Sequence, residues 1–216
     1  MTTETLPATT APVPATRRRR PRCQYPKKVQ QLAEAVEKKL PEYLEAHEVQ
    51  AIIKAAEDPR ARLLIMEQWR AGLRVSEALA LEVADLSLDA ELPTLRERQG
   101  KGRKSRIVPV HPELGAAFQV ALSFGNVSEG RIIDVHRSTA WRWVQRAHAR
   151  AEQLGAVPPG REIGNHTLRH SYARHLLMNG ISINYLSRWL GHSSIQTTLI
   201  YLELVPDPTG SLSIVP

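Results

Sequence analysis

The sequence of 216 residues contains little cysteine and no long apolar run. Its one cysteine, Cys23, excludes an internal disulfide framework. No apolar run approaches the length of about eighteen residues that a membrane-spanning helix needs. The arginine run near the start is followed by Gln24, Tyr25 and Pro26 rather than by an apolar segment, which is not the pattern of a secretory signal. These absences favour a cytoplasmic protein without a membrane partner, and a hydrophobic fraction of 42% is enough for one ordinary core.

The net charge of +7 is concentrated near the start of the chain. Residues 1–28 carry seven basic side chains and one acidic side chain, which leaves 22 basic and 21 acidic residues for the remainder. This segment is rich in Thr, Pro and Ala, and we predict a disordered basic arm. Such an arm suits DNA, which it would bind through counterion release, and the alternative is a solvated tail without a specific partner. The candidate DNA contacts in the arm are Arg17, Arg18, Arg19, Arg20 and Arg22.

Hydrophobic periodicity divides the rest of the chain. Residues 29–40 have the spacing of a short helix or linker, residues 41–204 form one domain, and residues 205–216 are a tail containing proline. We predict an α+β fold that is mainly helical, with one small antiparallel sheet. Helices are predicted at residues 45–57, 60–71, 75–82, 112–124, 139–154, 167–179, 183–190 and 195–203, and strands at 86–88, 94–98 and 106–110. Ser138 is the predicted N-cap of the 139–154 helix, and Ser193 or Ser194 that of the last helix.

The segment Gly72-Leu73-Arg74-Val75-Ser76-Glu77 presents an arginine on a turn after a predicted helix. A guanidinium keeps its charge and can bind a phosphate through two parallel hydrogen bonds. Glu77, three residues on, can orient that group. The alternative is a surface Arg–Glu pair at helical spacing.

The segment Gly100-Lys101-Gly102-Arg103-Lys104 lies at the turn of a predicted hairpin. Its spacing is not that of a P-loop, so the segment does not predict nucleotide binding. The amine of Lys101 has a proton to donate, as a general acid must, and Arg103 and Lys104 are candidate DNA contacts. The alternative is a solvated, charged turn.

The segment His166-Thr167-Leu168-Arg169-His170 lies at a predicted helix start, where the helix dipole, an arginine and an imidazole would converge on one anion. His166 and His170 are four residues apart, as zinc ligands on a helix can be. No Glu lies between them, no Cys follows, and Arg169 would place a cation beside the metal, so we predict no metal. Ordinary hydrogen-bonded histidines are the alternative.

The segment Leu190-Gly191-His192-Ser193-Ser194 precedes Tyr201, which lies nine residues after His192. The helical period turns Tyr201 away from the apolar stripe of the last predicted helix, which is formed by Ile195, Leu199 and Leu202. The phenol is therefore predicted to point away from the core. An exposed tyrosine without a role is the alternative.

In this order, the four segments resemble the catalytic domain of the tyrosine recombinase (phage integrase) family, which shares a distant fold and chemistry with type IB topoisomerases. The resemblance runs from about residue 41 to residue 201 and is carried by residues 72–77, 100–102, 166–171, 190–192 and Tyr201. Each segment alone is weak evidence, whereas the ordered set is specific.

The resemblance implies a site-specific recombinase or integrase that cuts and rejoins duplex DNA through a 3′-phosphotyrosyl link to Tyr201. It implies that His166 assists deprotonation and that Lys101 protonates the leaving 5′ oxygen. Phosphate oxygens would be held by Arg74, Arg169 and His192. Because the covalent link stores the phosphodiester energy, no ATP, metal or other cofactor is expected.

The family usually carries a helical core-binding domain before the catalytic one, and we expect that domain to be missing here or reduced to the 29–40 helix and the arm. A homotetramer on DNA is implied by the resemblance alone. Arg142 and Arg146, on the 139–154 helix, are candidate groove contacts, and a solvated helix face is the alternative. Two other functions stay open: a non-catalytic DNA-binding accessory factor derived from a recombinase, and DNA relaxation of the topoisomerase IB type.

Overall fold

The computed structural model describes residues 41–98, 105–124, 130–164 and 166–205. Within these ranges the chain is mainly helical and carries one three-stranded antiparallel sheet, which confirms the predicted fold class. The predicted basic arm and the 29–40 helix lie outside the described residues, as do Lys101, Arg103, Lys104 and the tail from residue 206.

The elements are numbered in chain order within the described ranges. They are α1 (Ala46–Ala55), α2 (Pro59–Arg70), α3 (Val75–Ala78), β1 (Leu86–Ser87), β2 (Thr94–Glu97), β3 (Arg106–Pro109), α4 (Pro112–Phe124), α5 (Arg137–Gln153), α6 (Thr167–Met178), α7 (Ile183–Leu190) and α8 (Gln196–Leu199). Short 3-10 helices cover Val83–Asp85 and Leu202–Leu204.

Helix α2 forms the centre of the core and packs against α1, α3, α4, α5 and α6. It begins with Pro59 after the N-cap Asp58, whose carboxylate accepts a hydrogen bond from the Arg60 amide at 2.9 Å. Its side chains Leu64 and Ile65 are fully buried, and burial of this kind stabilises a fold by about 1.5–3 kcal/mol per side chain. The helices that pack against α2 are therefore held in fixed positions by this core.

The turn after α2 depends on Gly72, which has a φ of +63°. A Cβ at this position would lie 2.5 Å from the ring of Tyr172 on α6. Only glycine combines this backbone conformation with so close an approach to a neighbouring helix. The turn thereby brings residue 74 beside the start of α6.

The sheet carries a charged pair on its buried face. Leu95 pairs with Val108 and Glu97 pairs with Arg106 across β2 and β3. Because side chains alternate along a strand, both pairs lie on the same face, and all four side chains are buried. Ile107 faces the opposite way and is 61% exposed.

Two predicted helix boundaries were wrong. Helix α3 ends at Ala78 rather than at residue 82, because the chain then extends and pairs with residues 130–132 through the carbonyl of Leu81 and the amide of Val83. Helix α5 begins at Arg137, and its N-cap is His136, whose Nδ1 accepts from the Ser138 amide at 3.3 Å. An imidazole nitrogen thus performs the capping role predicted for the Ser138 hydroxyl.

The last predicted helix, residues 195–203, is interrupted. Helix α8 covers Gln196–Leu199 with Ile195 as its N-cap, and a separate 3-10 turn follows. The predicted serine N-cap was therefore wrong, although the Ser194 hydroxyl accepts a hydrogen bond from the Gln196 amide at 3.3 Å. The break has consequences for Tyr201, which lies between the two helical pieces.

Candidate active site

Arg74 and Glu77 lie together at the start of α3. The Arg74 amide donates to Oε2 of Glu77 at 2.8 Å, and its Nη1 donates to Oε1 at 2.6 Å. About a third of the Arg74 side chain stays exposed, so the guanidinium still offers N–H groups to an incoming ligand. The carboxylate orients this arginine without covering it.

Glu77 contacts two further guanidiniums. Its Oε2 lies 2.7 Å from Nη2 of Arg106 and 3.4 Å from Nη1 of Arg169. Glu97 adds a second carboxylate, 2.8 Å from Nη1 of Arg106. Three cations held by two anions leave a positive site, which is suited to bind an anion such as a phosphate.

The charge of Glu77 depends on its arginine neighbours. Burial alone would raise the pKa of Glu77, but the hydrogen bond and charge of Arg106, the amide of Arg74 and the charge of Arg169 outweigh burial and lower the pKa to about 2. A folded-state pKa below the ordinary value of 4.5 means that ionised Glu77 stabilises the fold above pH 4.5. That contribution is lost as the pH falls from 4.5 towards 2.

Replacing Glu77 with glutamine is expected to lower the free energy of unfolding at pH 7 by about 3 kcal/mol, because the arginines lose their shared anion. The difference from the native protein should shrink as the pH falls through the window from 4.5 to 2. Urea denaturation at a series of pH values measures both quantities. Glu91→Gln, at an exposed position, is the control, and parallel pH profiles for the native protein and Glu77→Gln would contradict the prediction.

Arg169 is fixed in the first turn of α6. Its side chain is 3% exposed and donates to the carbonyls of Gly72 at 2.6 Å and Leu190 at 2.5 Å. Burial, followed by the charge of Arg74, lowers its pKa to about 10, so it remains a cation at neutral pH. Fixed contacts from three elements set the orientation of this guanidinium.

Arg106 belongs to the same cluster, and the sequence-based interpretation missed it. Its Nε donates to the carbonyl of Trp189 at 2.7 Å, in addition to its contacts with Glu77 and Glu97. A signal for it exists in the sequence: in a strand, Arg106 must share the face of the apolar Val108. A charge on a core face requires a buried partner.

The C-terminus of α7 is bound by two of these arginines. The carbonyls of Trp189 and Leu190 accept from Arg106 and Arg169, and cations stabilise a helix C-terminus. Gly191 then adopts a left-handed conformation, with φ +65°, and ends the helix. The chain enters the site directly at His192.

Tyr201 lies inside this site, so the prediction that it points away from the core was wrong. It is 3% exposed, whereas the apolar residues Ile195, Leu199 and Leu202 are 41%, 43% and 48% exposed. The stripe and Tyr201 face opposite ways, as the helical period requires, but the stripe is the side that faces solvent. Moreover, the polar partners of the phenol lie on the inner side.

Two imidazoles contact the phenol. The Tyr201 hydroxyl lies 2.8 Å from Nδ1 of His170, and its ring stacks on that of His192 with an interplanar angle of 16° and centroids 6.4 Å apart. Burial raises the pKa of Tyr201, and the charges of Arg169 and Arg74 offset part of that increase. The phenol therefore rests in its neutral form, within the electrostatic range of both arginines.

Both imidazoles are neutral at pH 7. Burial, followed by neighbouring cationic or imidazole groups, lowers the pKa of His170 and of His192 to about 4. His192 is held by a hydrogen bond of 2.7 Å between its Nδ1 and the buried hydroxyl of Thr198.

His166, the residue predicted to assist deprotonation, is the N-cap of α6 and is exposed. Its ring lies 6.0 Å from that of His170, and burial, followed by the charge of Arg169, lowers its pKa. His170 makes the contact with the Tyr201 hydroxyl. The sequence-based interpretation had treated His170 only as a possible metal ligand or an ordinary hydrogen-bonded histidine.

A groove of about 800 Å³ opens beside the cluster and is lined by Arg74, Arg106, Arg188, Trp189 and His192, among others. Arg188 is an exposed cation on α7 that the sequence-based interpretation also missed. The groove extends the positive site towards solvent.

Arg142 and Arg146 lie elsewhere, on the exposed surface of α5. Arg142 donates to the Thr139 hydroxyl at 3.2 Å, and Arg146 lines a separate cleft of about 180 Å³ with Trp143 and Arg150. The structure does not bring these two arginines into the lining of the 800 Å³ groove.

Across residues 41–98, 105–124, 130–164 and 166–205, no three side chains of His, Cys, Asp or Glu come together in a group that could hold a metal ion. Within the same part of the chain, no helix is both long and apolar enough to cross a membrane.

Three guanidiniums, two neutral imidazoles and a buried phenol lie together beside the groove, and such a cluster can bind a phosphate and supply a nucleophile. The chain belongs to the phage integrase family, which matches residues 42–206. It is 35% identical over 176 residues to a tyrosine recombinase of Thermosipho africanus, with 78% of this chain and 59% of that protein aligned. The predicted resemblance to tyrosine recombinases is thus confirmed.

Solved structures show the same fold. The XerA recombinase structure has a TM-score of 0.69 at 26% identity, over 82% of this chain and 66% of that one. The pre-cleavage complex of XerH site-specific recombinase bound to difH substrate has a TM-score of 0.62 at 25% identity, over 81% of this chain and 53% of that one. The chain spans about three fifths of the Thermosipho relative.

Proposed function

We propose that this protein is a site-specific tyrosine recombinase that cuts and rejoins duplex DNA, with Tyr201 as its nucleophile. The phenol oxygen attacks the scissile phosphorus, the bond from phosphorus to the 5′ oxygen breaks, and a 3′-phosphotyrosyl link forms. A second DNA end with a free 5′-hydroxyl then reverses the attack and releases the phenol.

Different residues of the chain have different roles in this cleavage step. Arg74 and Arg169 bind the non-bridging oxygens as negative charge develops, with His192 beside them, and Glu77 holds both guanidiniums in place. Removing one such preorganised donor typically slows a reaction about a hundredfold or more. Lys101 protonates the leaving 5′ oxygen and His166 assists deprotonation, both by the family resemblance.

The observation that carries the proposal is the position of the Tyr201 phenol, which is buried against His170 and His192 beside the arginine cluster. A DNA-binding accessory factor would not need a nucleophile held among phosphate-binding groups. The names of the relatives favour recombination over relaxation of the topoisomerase type.

The test uses short nicked duplexes with a randomised central block and nicks at a series of positions. Departure of the short cleaved strand traps any covalent adduct, and sequencing the trapped duplexes identifies the target site. We expect peptide mass spectrometry to place the DNA on Tyr201. Selective binding without an adduct would instead support the accessory factor, and relaxation of a supercoiled plasmid lacking the selected site would support the topoisomerase-like function.

Duplex DNA is the proposed partner, supported by the positive groove and by the XerH complex with its difH substrate. The same proposal includes a homotetramer on DNA and a cytoplasmic location, where DNA is accessible. It also includes DNA contacts from Arg103, Lys104, Arg142 and Arg146. The division into a basic arm (1–28), a short helix or linker (29–40), a catalytic domain (41–204) and a tail (205–216) is part of it as well.

Replacing the five arginines Arg17–Arg20 and Arg22 with glutamine is expected to weaken DNA binding and to flatten its salt dependence. If all five contact phosphates, the slope of log K against log salt concentration should fall in magnitude by about 4.5, because each contact contributes about 0.9. Fluorescence anisotropy over a salt series measures the slope. Deleting residues 1–16 leaves these arginines in place and should not change it, and an unchanged slope in the glutamine variant would mean that the arm does not contact DNA.

A further inference from the structure

The recombinase proposal gives no role to His170, although this residue contacts the nucleophile. Its Nδ1 lies 2.8 Å from the hydroxyl of Tyr201, a side chain that is 3% exposed. A phenol is a stronger hydrogen-bond donor than a neutral imidazole N–H, so the hydroxyl donates and Nδ1 accepts.

The protonation state of His170 suits an acceptor. Burial, with the nearby His166 and Arg169, lowers its pKa to about 4, so the ring is neutral at neutral pH and one of its nitrogens has a free lone pair, which the contact with the hydroxyl assigns to Nδ1. The same low basicity makes His170 a poor proton acceptor for a buried phenol whose pKa is raised. In the resting protein the contact therefore orients the hydroxyl rather than ionising it. The phenol becomes strongly acidic only as its oxygen bonds to phosphorus, and its proton then leaves with the assistance of His166 proposed above.

The phenol is held at two points. His192 stacks on its ring at an interplanar angle of 16° and is itself bound to the buried Thr198. His170 occupies the hydroxyl end and follows directly after Arg169, whose guanidinium is bound to two backbone carbonyls. The ring plane and the direction of the O–H bond are thus both set by groups that are fixed.

The direction of the O–H bond decides where the lone pairs of the oxygen point. With the proton on the side of His170, the lone pairs point away from that imidazole. An attack on phosphorus needs a lone pair aligned with the bond that breaks, and a misplacement of about 1 Å can cost about a hundredfold in rate.

We propose that His170 is a positioning residue, which accepts a hydrogen bond from the Tyr201 hydroxyl and so directs its lone pairs to the scissile phosphate. The inference rests on the proposed function, in which Tyr201 is the nucleophile. It gives His170 a role separate from that of His166.

The test compares His170→Leu with His170→Asn, because the asparagine Oδ1 can take the place of Nδ1 as an acceptor. The rate of adduct formation on the selected nicked duplex should fall roughly ten- to a hundredfold in His170→Leu and only a few-fold in His170→Asn. His175→Leu is the matched control, since His175 lies on the same helix but its ring packs against Trp69 at an interplanar angle of 46°, and the rate of this variant should not change.

A second assay separates an effect on Tyr201 from damage to the phosphate site. In a Tyr201→Phe background, a DNA strand ending in a 3′-p-nitrophenyl phosphate is joined to a 5′-hydroxyl strand. The 5′ oxygen bonds to phosphorus, p-nitrophenolate leaves, and the hydroxyl proton passes to solvent. Adding His170→Leu should leave this rate unchanged, whereas an equal loss in both assays would overturn the positioning role.

The outcomes distinguish the two proposals. Absence of an adduct with the native protein on every duplex would overturn the proposed function and, with it, the role of His170. An undiminished adduct rate in His170→Leu would overturn the role of His170 alone. So would a protonated Nδ1 in the ¹⁵N spectrum of the resting protein, because that nitrogen could not accept the hydrogen bond.

Discussion

Replacing Tyr201 with phenylalanine is expected to reduce covalent trapping of DNA by at least about four orders of magnitude, because no nucleophile remains at the phosphate. The change removes one oxygen and keeps the buried ring and its stacking on His192. The free energy of unfolding should therefore fall by only about 1 kcal/mol, the size of one hydrogen bond. Adduct formation on the selected nicked duplex measures the first effect and urea denaturation the second.

Tyr172→Phe is the matched control, since Tyr172 is also buried and lies on α6 two residues after His170. Its phenol pKa is raised by burial, and its ring packs against Gly72. This variant should still trap DNA. Trapping by Tyr201→Phe at the native rate would remove Tyr201 from the mechanism.

Replacing Arg169 with lysine is expected to lower the rate of adduct formation by about a hundred- to a thousandfold, even though the charge is kept. An ammonium group lacks the planar fork with which Arg169 reaches the carbonyls of Gly72 and Leu190 and the carboxylate of Glu77 together. The phosphate would lose a donor, and Glu77 would lose one of its three guanidinium contacts. The fold should also lose about 2 kcal/mol, because buried acceptors are left without partners.

Arg161→Lys separates the two effects. Arg161 likewise binds a carboxylate and a carbonyl, those of Glu48 and Tyr43. Its replacement should cost stability without a comparable loss of adduct formation. If the two variants lost activity in proportion to their lost stability, Arg169 would be a structural residue rather than a ligand of the phosphate.

Several parts of the site could be predicted from residues close together in the sequence. The contact between Arg74 and Glu77 spans three residues, and a helix start brings such a pair together whatever surrounds it. Gly72 and Gly191 follow the helices predicted at residues 60–71 and 183–190, and each adopts a positive φ, a local requirement that glycine meets. Arg106 was accessible in principle as well, through the alternation of side chains along β3.

Other features depend on residues far apart in the chain. Glu77 is the shared partner of Arg106 and Arg169, which lie 29 and 92 residues further on, and no spacing in the sequence specifies that one carboxylate will serve both. The contact of His170 with Tyr201 spans 31 residues and was not predicted. A periodic pattern describes one element and carries no information about the side chains that another element brings to it.

The amino-acid sequence by itself predicted the mainly helical fold class, the ordered set of motifs and the local Arg74–Glu77 pair. These features depend on periodicity, turn chemistry and short-range pairing, which act within a few residues. The inward orientation of Tyr201 was settled by packing. The apolar stripe of the last helical segment predicted the opposite, but that segment breaks, and the phenol finds its hydrogen-bond partner on α6. A short helix has too little apolar surface to set its own orientation. The side that turns inward is therefore determined by the polar groups in the folded core with which its side chains form hydrogen bonds.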